Sequence, residues 1–202
     1  MTEQLSNEKK GLILDAARKR FAYYGFSKVT MDEIASDVGM GKASLYYYFP
    51  TKESLFDLVL RHEFDQFFST VENILGQEIP VCKIFRMYAS ERLEHFKILA
   101  NLRALSFQVS AESKTATFDM FMEFQHAEID ILQRILQLGK KRGEFIVANP
   151  RKTAEVILQM FYGARAWNLK MRQNVFDNEA FEAMKAAMKE IIEIIINGIL
   201  KR

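Results

Sequence analysis

One cysteine, three prolines and nine glycines in 202 residues leave this chain few of the devices that interrupt or staple a fold. Cys82 alone allows no internal disulfide, and no Cys/His spacing resembles a zinc site, so Cys82 is read as packing. Long apolar runs are missing too: the most apolar stretch, residues 191–196, is far too short to span a bilayer. The N-terminus, MTEQLSNEKK, is polar where a secretory signal needs an apolar run, so the chain is expected to stay in the cytoplasm, away from the membrane. A large charge of one sign is also absent. The net charge is +2, and the excess lies in the first quarter, where eight Lys/Arg face six Asp/Glu through Lys52. No basic tail announces nucleic acid, and an excess of two is weak evidence for it.

What is present is an ordinary globular composition, 49% hydrophobic and 27% charged, enough for one sizeable core or two modest ones. Apolar residues recur at three and four positions, which predicts an all-α fold without sheet. Gly25 stops a first helix over residues 8–24, whose inward stripe is read as Leu12/Ile13, Ala16/Ala17 and Phe21. Thr30 and Glu33 form a Thr-x-x-Glu capping box for a second helix through Val38. Gly39-Met40-Gly41 makes a turn into a third helix, residues 42–49, closed by Pro50, and Thr51 can cap a fourth over 51–75. Further helices are expected over residues 81–99, 102–109, 115–142, 151–172 and 178–200.

The third helix carries Tyr46-Tyr47-Tyr48, and at about 100° per residue three adjacent tyrosines cannot all enter one core. Leu45 and Phe49, with Gly41 nearby, mark its buried side; Ala43, Ser44 and Tyr47 point outward. Small residues beside one phenol, on a short helix after a glycine turn, have helix-turn-helix geometry and suit a DNA groove. Packing between two domains is the competing account of such a run.

The flanking residues decide between them. The stretch AARKRFAYYGFSKVTMDEIASDVGMGKASLYYYFPTKESLF resembles the N-terminal pattern of the TetR-type bacterial transcriptional repressors, matching in order from Ala16/Ala17, Phe21 and Gly25 through Leu45, Tyr46 and Phe49 to Lys52 and Leu55. The resemblance covers roughly the first quarter of the chain. It implies a helix-turn-helix DNA-binding domain over residues 1–52 and a larger helical effector-binding and dimerisation domain over 53–202. It also implies operator contacts from Lys42, Ser44, Tyr46, Tyr47, Tyr48 and Lys52, with Thr30 capping the second helix beside a phosphate. The two lysines suit phosphates and Ser44 a base edge. Two departures stand out: Tyr48 occupies a place where histidine is common, and Gly41 replaces a Ser/Thr cap. Lys9, Lys10, Arg18, Lys19 and Arg20 are read as a solvated helix face.

Ten of the seventeen phenylalanines fall between Phe56 and Phe124. A helical core explains them; a mostly apolar cavity would use them too. Since the resemblance implies such a cavity, Phe67, Phe85, Tyr88, Phe96, Phe121, Gln125, Phe161 and Trp167 are the candidates to hold a hydrophobic small molecule. His62, His95 and His126 fall on separate predicted helices and are read as solvated or singly hydrogen-bonded; neither metal nor cofactor is expected. The last helix, EIIEIIINGIL, has isoleucine on too many sides for one stripe and needs a second cover. In the family the last two long helices of each subunit form a four-helix interface, which here implies Gly163, Ala164, Met184, Met188, Ile191, Ile195 and Ile199. A homodimer would set two third helices into successive major grooves of palindromic double-stranded DNA.

Two other classes are weighed. An enzyme acting on a lipid-like molecule would need a nucleophile with a placed base, a phosphate loop or a paired-carboxylate motif, and none is seen. A nucleoid-associated or scaffold protein using the same N-terminal module without an effector would bind DNA identically in every small-molecule pool.

Overall fold

The computed structural model describes the backbone of residues 2–103, 111–171 and 178–200, and the side chains of 7–95, 119–168, 179 and 181–200. Within these residues lie eight helices: α1 (Thr2–Tyr24), α2 (Met31–Asp37), α3 (Lys42–Tyr48), α4 (Lys52–Leu75), α5 (Val81–Arg103), α6 (Ala111–Arg142), α7 (Pro150–Met171) and α8 (Asn178–Ile199). Extended pairing among the described residues is confined to one isolated antiparallel bridge, Phe145 to Leu200. The fold class is all-α. A separate helix over 102–109 is corrected at its start, because α5 runs on through Arg103; the rest of that stretch lies outside the described residues.

The chain divides into two compact units, residues 1–66 with 96–120, and residues 67–95 with 121–202. In the first, Ile13, Ala17 and Phe21, four apart, form the buried stripe of α1. Leu12 does not join it; its side chain is 62% exposed. Phe21, Phe26 and Phe56 cluster with ring centroids 4.8–5.8 Å apart, and Ile34 and Leu45 of the two short helices are fully buried. Gly25 ends α1 at φ 79°, its amide donating to the Phe21 carbonyl at 2.9 Å.

Two polar ties hold α4 to this unit. Arg18 of α1 donates to Glu63, a carboxylate buried to 1% exposure. At the start of α4, Lys52 Nζ donates to the carbonyls of Phe26 and Val29, at 3.0 Å each, and lies 4.3 Å from the centroid of the Phe26 ring. Thr51 and Ser54 cap the helix reciprocally, the Ser54 amide reaching Thr51 Oγ1 at 3.0 Å.

The second unit closes its helix ends in the same local way. Pro150 takes the first position of α7, where no amide is needed, and the Lys152 amide donates to Asn149 Oδ1 at 3.1 Å. Gly143, at φ 72°, terminates α6, with the Glu144 amide on the Gly139 carbonyl at 2.9 Å. The Glu144 side chain then accepts from the Val81 amide at 2.6 Å, answering the first amide of α5. Its core includes Phe67, Ile84, Phe85, Leu132, Leu136 and Phe161.

Candidate nucleic-acid interface

The presentation of α3 begins at the other end of the turn, with the capping of α2. The Glu33 amide donates to Thr30 Oγ1 at 3.3 Å, and the Thr30 amide donates to Glu33 Oε2 at 2.8 Å, closing the capping box. The Thr30 hydroxyl also donates to Glu33 Oε2 at 2.9 Å, and the two donations from Thr30, the backbone amide first and the hydroxyl second, hold the Glu33 carboxyl below its usual range. Arg20 grips Asp37 in the last turn of α2 and lowers that carboxyl too, chiefly by hydrogen bonding. Helix α2 then ends in a Schellman turn: the Met40 amide donates to Ala35 at 2.9 Å and the Gly39 amide to Ser36 at 3.1 Å, with Gly39 at φ 66°.

That turn delivers α3 with Leu45 buried and its other side open. Tyr47 is 83% exposed, Ala43 and Ser44 are exposed beside it, Tyr46 is exposed at one flank and Tyr48 half-buried at the other. The Tyr47 and Tyr48 rings meet edge to face at 5.4 Å. Gly41 is the N-cap of α3, exposed rather than part of its buried side, and gives no side-chain hydrogen bond. Lys42 pairs with Asp32 at 2.9 Å; this hydrogen bond, ahead of the charge attraction, raises the Lys42 ammonium. Thr30 stands exposed at the head of α2. Lys52 is half-buried and turned to the backbone between α1 and α2.

Among the residues proposed for a ligand, Phe67, Phe85, Tyr88 and Phe161 are buried in the second unit. Tyr88 stands 6.2 Å from Phe67 and stacks on Phe85 at 6.3 Å. Phe121 and Gln125 are half-buried, and Gln125 is hydrogen-bonded to Tyr162. Trp167 stands apart, 62% exposed, and the Phe96 side chain lies outside the described residues. His95 is buried rather than solvated, against the rings of Phe67 and Phe124 at 5.2 and 6.1 Å.

Sequence reasoning missed the polar centre of this unit. Arg92 donates to the fully buried carboxylate of Glu128, which also accepts from the Tyr88 hydroxyl at 2.8 Å. The guanidinium carbon lies 5.1 Å from the Phe161 ring and 5.3 Å from Tyr162. Burial, and then the Glu128 charge, push the Tyr88 hydroxyl well above its ordinary value, so it remains a donor. Burial opposes the Arg92 charge, and Glu128 outweighs it. No local pattern marks two charges 36 residues apart as partners.

For the dimer residues, Met184 and Met188 are buried within the single chain, Ala164, Ile191, Ile195 and Ile199 are half-buried, and Gly163 is exposed. Among the described residues no helix is long and apolar enough to cross a membrane.

Comparison with known proteins covers both units. Residues 13–59 match the family described as bacterial regulatory proteins, tetR family. A solved transcriptional regulator from Cytophaga hutchinsonii ATCC 33406 is 38% identical, with a TM-score of 0.88 over 96% of this chain and 99% of that one. The HTH-type transcriptional regulator YhgD of Bacillus subtilis strain 168 is 27% identical over 158 residues, 78% of this chain and 82% of that protein. A fatty acid metabolism regulator protein of the same organism is 22% identical across 93% of each chain. The family match by itself speaks for the helices up to the first turns of α4, but the agreement with the Cytophaga regulator runs from end to end, and the chain belongs to the tetR family of bacterial regulatory proteins.

Proposed function

We propose that this DNA-binding transcriptional regulator is a ligand-responsive repressor, acting as a dimer on a palindromic operator and released by a hydrophobic small molecule. The observation that carries the reading is the 83% exposure of Tyr47, on a helix whose opposite side is anchored by Leu45. A large phenol left in water beside Ser44 and Ala43 gains its apolar burial only on binding, and a groove of DNA offers both apolar and hydrogen-bonding partners. Ser44, Tyr46, Tyr47 and Tyr48 would meet the operator, with Thr30 at a phosphate beside α2. In this reading residues 1–52 hold the DNA and 53–202 hold the effector and the partner subunit.

The aromatic residues of the second unit support an apolar effector, and the relative named for fatty acid metabolism is in keeping with one. Exposed apolar side chains on α7 and α8, among them Met160, Trp167 and Ile194, support pairing with a second copy. An effector that pushes on α4 would change the separation of the two α3 helices. It must bind the DNA-incompetent state more tightly, since otherwise it shifts nothing.

Selection of sheared genomic DNA on the purified protein, followed by sequencing, tests this reading. A small set of palindromic sites, lost in Tyr47→Ala while helicity is kept, is the expected result. Diffuse retention that disappears with added salt, and is the same in Tyr47→Ala, would replace it with phosphate binding alone.

A further inference from the structure

We propose that the operator backbone beside α3 is neutralised by Lys9 of α1, and that Lys52 is a positioning residue that holds the reading head together. This rests on the reading of α3 given above.

The surface beside α3 is concave. A cleft of about 360 Å³ is lined by Lys9, Met40, Ala43, Ser44, Tyr47 and Tyr48. Lys9 is its one cation, and none of the six is acidic. The hydroxyls of Ser44, Tyr47 and Tyr48 add donors, so the lining offers neutral O–H groups and one ammonium, a set complementary to a singly charged phosphodiester. Two tyrosine rings set edge to face form an apolar wall against which a deoxyribose can lie.

The other two lysines near α3 are already engaged. Lys42 shares its charge with Asp32, both about 60% exposed, which leaves that corner of the surface nearly neutral. Lys52 gives two of its three N–H bonds to the carbonyls of Phe26 and Val29 and faces the Phe26 ring. Turning it to a phosphate would strip both carbonyls of this donor and loosen the loop that carries Thr30, the cap of α2. Lys9, by contrast, is exposed and has no ion-pair partner among the described residues. Of the cleft's lining, its ammonium is the group that can displace condensed cations from the duplex.

The salt dependence of binding separates the roles. Each phosphate neutralised contributes about 0.9 to the slope of log K against log salt, whereas a residue that only shapes the protein lowers affinity without touching that slope. The probe is a labelled duplex carrying a site retained in the genomic selection, titrated at several salt concentrations. Lys9→Gln should lower the slope by about 0.9 and the affinity roughly five-fold at physiological salt for each protomer bound. Lys9→Arg should restore both. Lys52→Met should weaken binding with the wild-type slope and lower the thermal midpoint of the protein. An unchanged slope in Lys9→Gln, or a slope lowered in Lys52→Met, overturns the assignment. If Tyr47→Ala still loses the site, the failure is confined to the lysines; if Tyr47→Ala binds normally and Lys9→Gln keeps its slope, the α3 reading falls with it.

Discussion

The hydroxyl of Tyr88 and the carboxylate of Glu128 stand 2.8 Å apart in the interior of the second unit, with Arg92 donating to the same carboxylate. The three groups satisfy one another where water is excluded, so each substitution leaves a different debt. Arg92→Met removes the counter-charge of a fully buried carboxylate and should cost about 3–5 kcal/mol. Tyr88→Phe removes one hydrogen bond to a group that keeps its arginine and should cost about 1.5 kcal/mol. The double variant Arg92→Met with Glu128→Met should be more stable than Arg92→Met alone, because no charge then remains buried. Urea unfolding of the wild type, Arg92→Met, Glu128→Met and the double variant measures the coupling; additive losses would mean that the pair is not mutually dependent.

Gly39 and Gly41 bracket the turn of the reading head, and a Cβ at either would meet open space. Only the backbone differs: Gly39 sits at φ 66°, Gly41 at φ −70°. Gly39→Ala should therefore destabilise by about 1–2 kcal/mol through the left-handed conformation alone. Gly41→Ser supplies the side-chain acceptor that α3 lacks and should stabilise by a few tenths of a kcal/mol. Thermal unfolding of the two variants should move in opposite directions.

These same turns explain what could be read from the chain in advance. The capping box at Thr30 and Glu33, the glycines at 25 and 39 and the proline at 50 are local signals, the first opening a helix and the others closing one, each within a residue of its expected place. Burial was less legible where apolar residues adjoin. Leu12 and Ile13 fit the same loose stripe, and the four-residue spacing to Ala17 and Phe21 is what selects Ile13. Arg92, in the polar run SERLEHF, reads as solvent-facing because its partner lies on another helix. The carbonyls that Lys52 holds were invisible in the sequence for a similar reason, since they belong to the α1–α2 connection.

Acid should loosen both units. The carboxyls of Glu33 and Asp37 are lowered by Thr30 and Arg20, and that of Glu72 by its hydrogen bonds from Arg134. Their ordinary values are 4.5, 3.8 and 4.5. A carboxyl lowered by folding adds stability that is complete above its unfolded value and is lost as pH falls through the folded one. The unfolding midpoint should thus be level above about pH 5 and fall below it. Asp37→Asn and Glu72→Gln should each flatten that fall; an unaltered profile in both would place the acid sensitivity elsewhere.

Helix α7 carries Val156, Met160, Gly163 and Trp167 at intervals of four, three and four, and α8 carries Ala187, Ile191, Ile194 and Gly198 at the same intervals. Such spacing sets each group along one side of its helix. Ile194 is 65% exposed and Gly163 and Gly198 leave open space, so both stripes present apolar surface with room for a close approach. Within one chain Ile194→Asp touches little and should leave helicity unchanged. Across a paired surface it buries two carboxylates without cations, which disfavours association strongly. In the proposed dimer, sedimentation equilibrium should then show a dimer for the wild type and monomers for Ile194→Asp. The same variant should lose affinity for a two-half-site operator far more than for a single half-site, because a monomer cannot engage both grooves at once. A dimeric Ile194→Asp would move the interface away from these stripes.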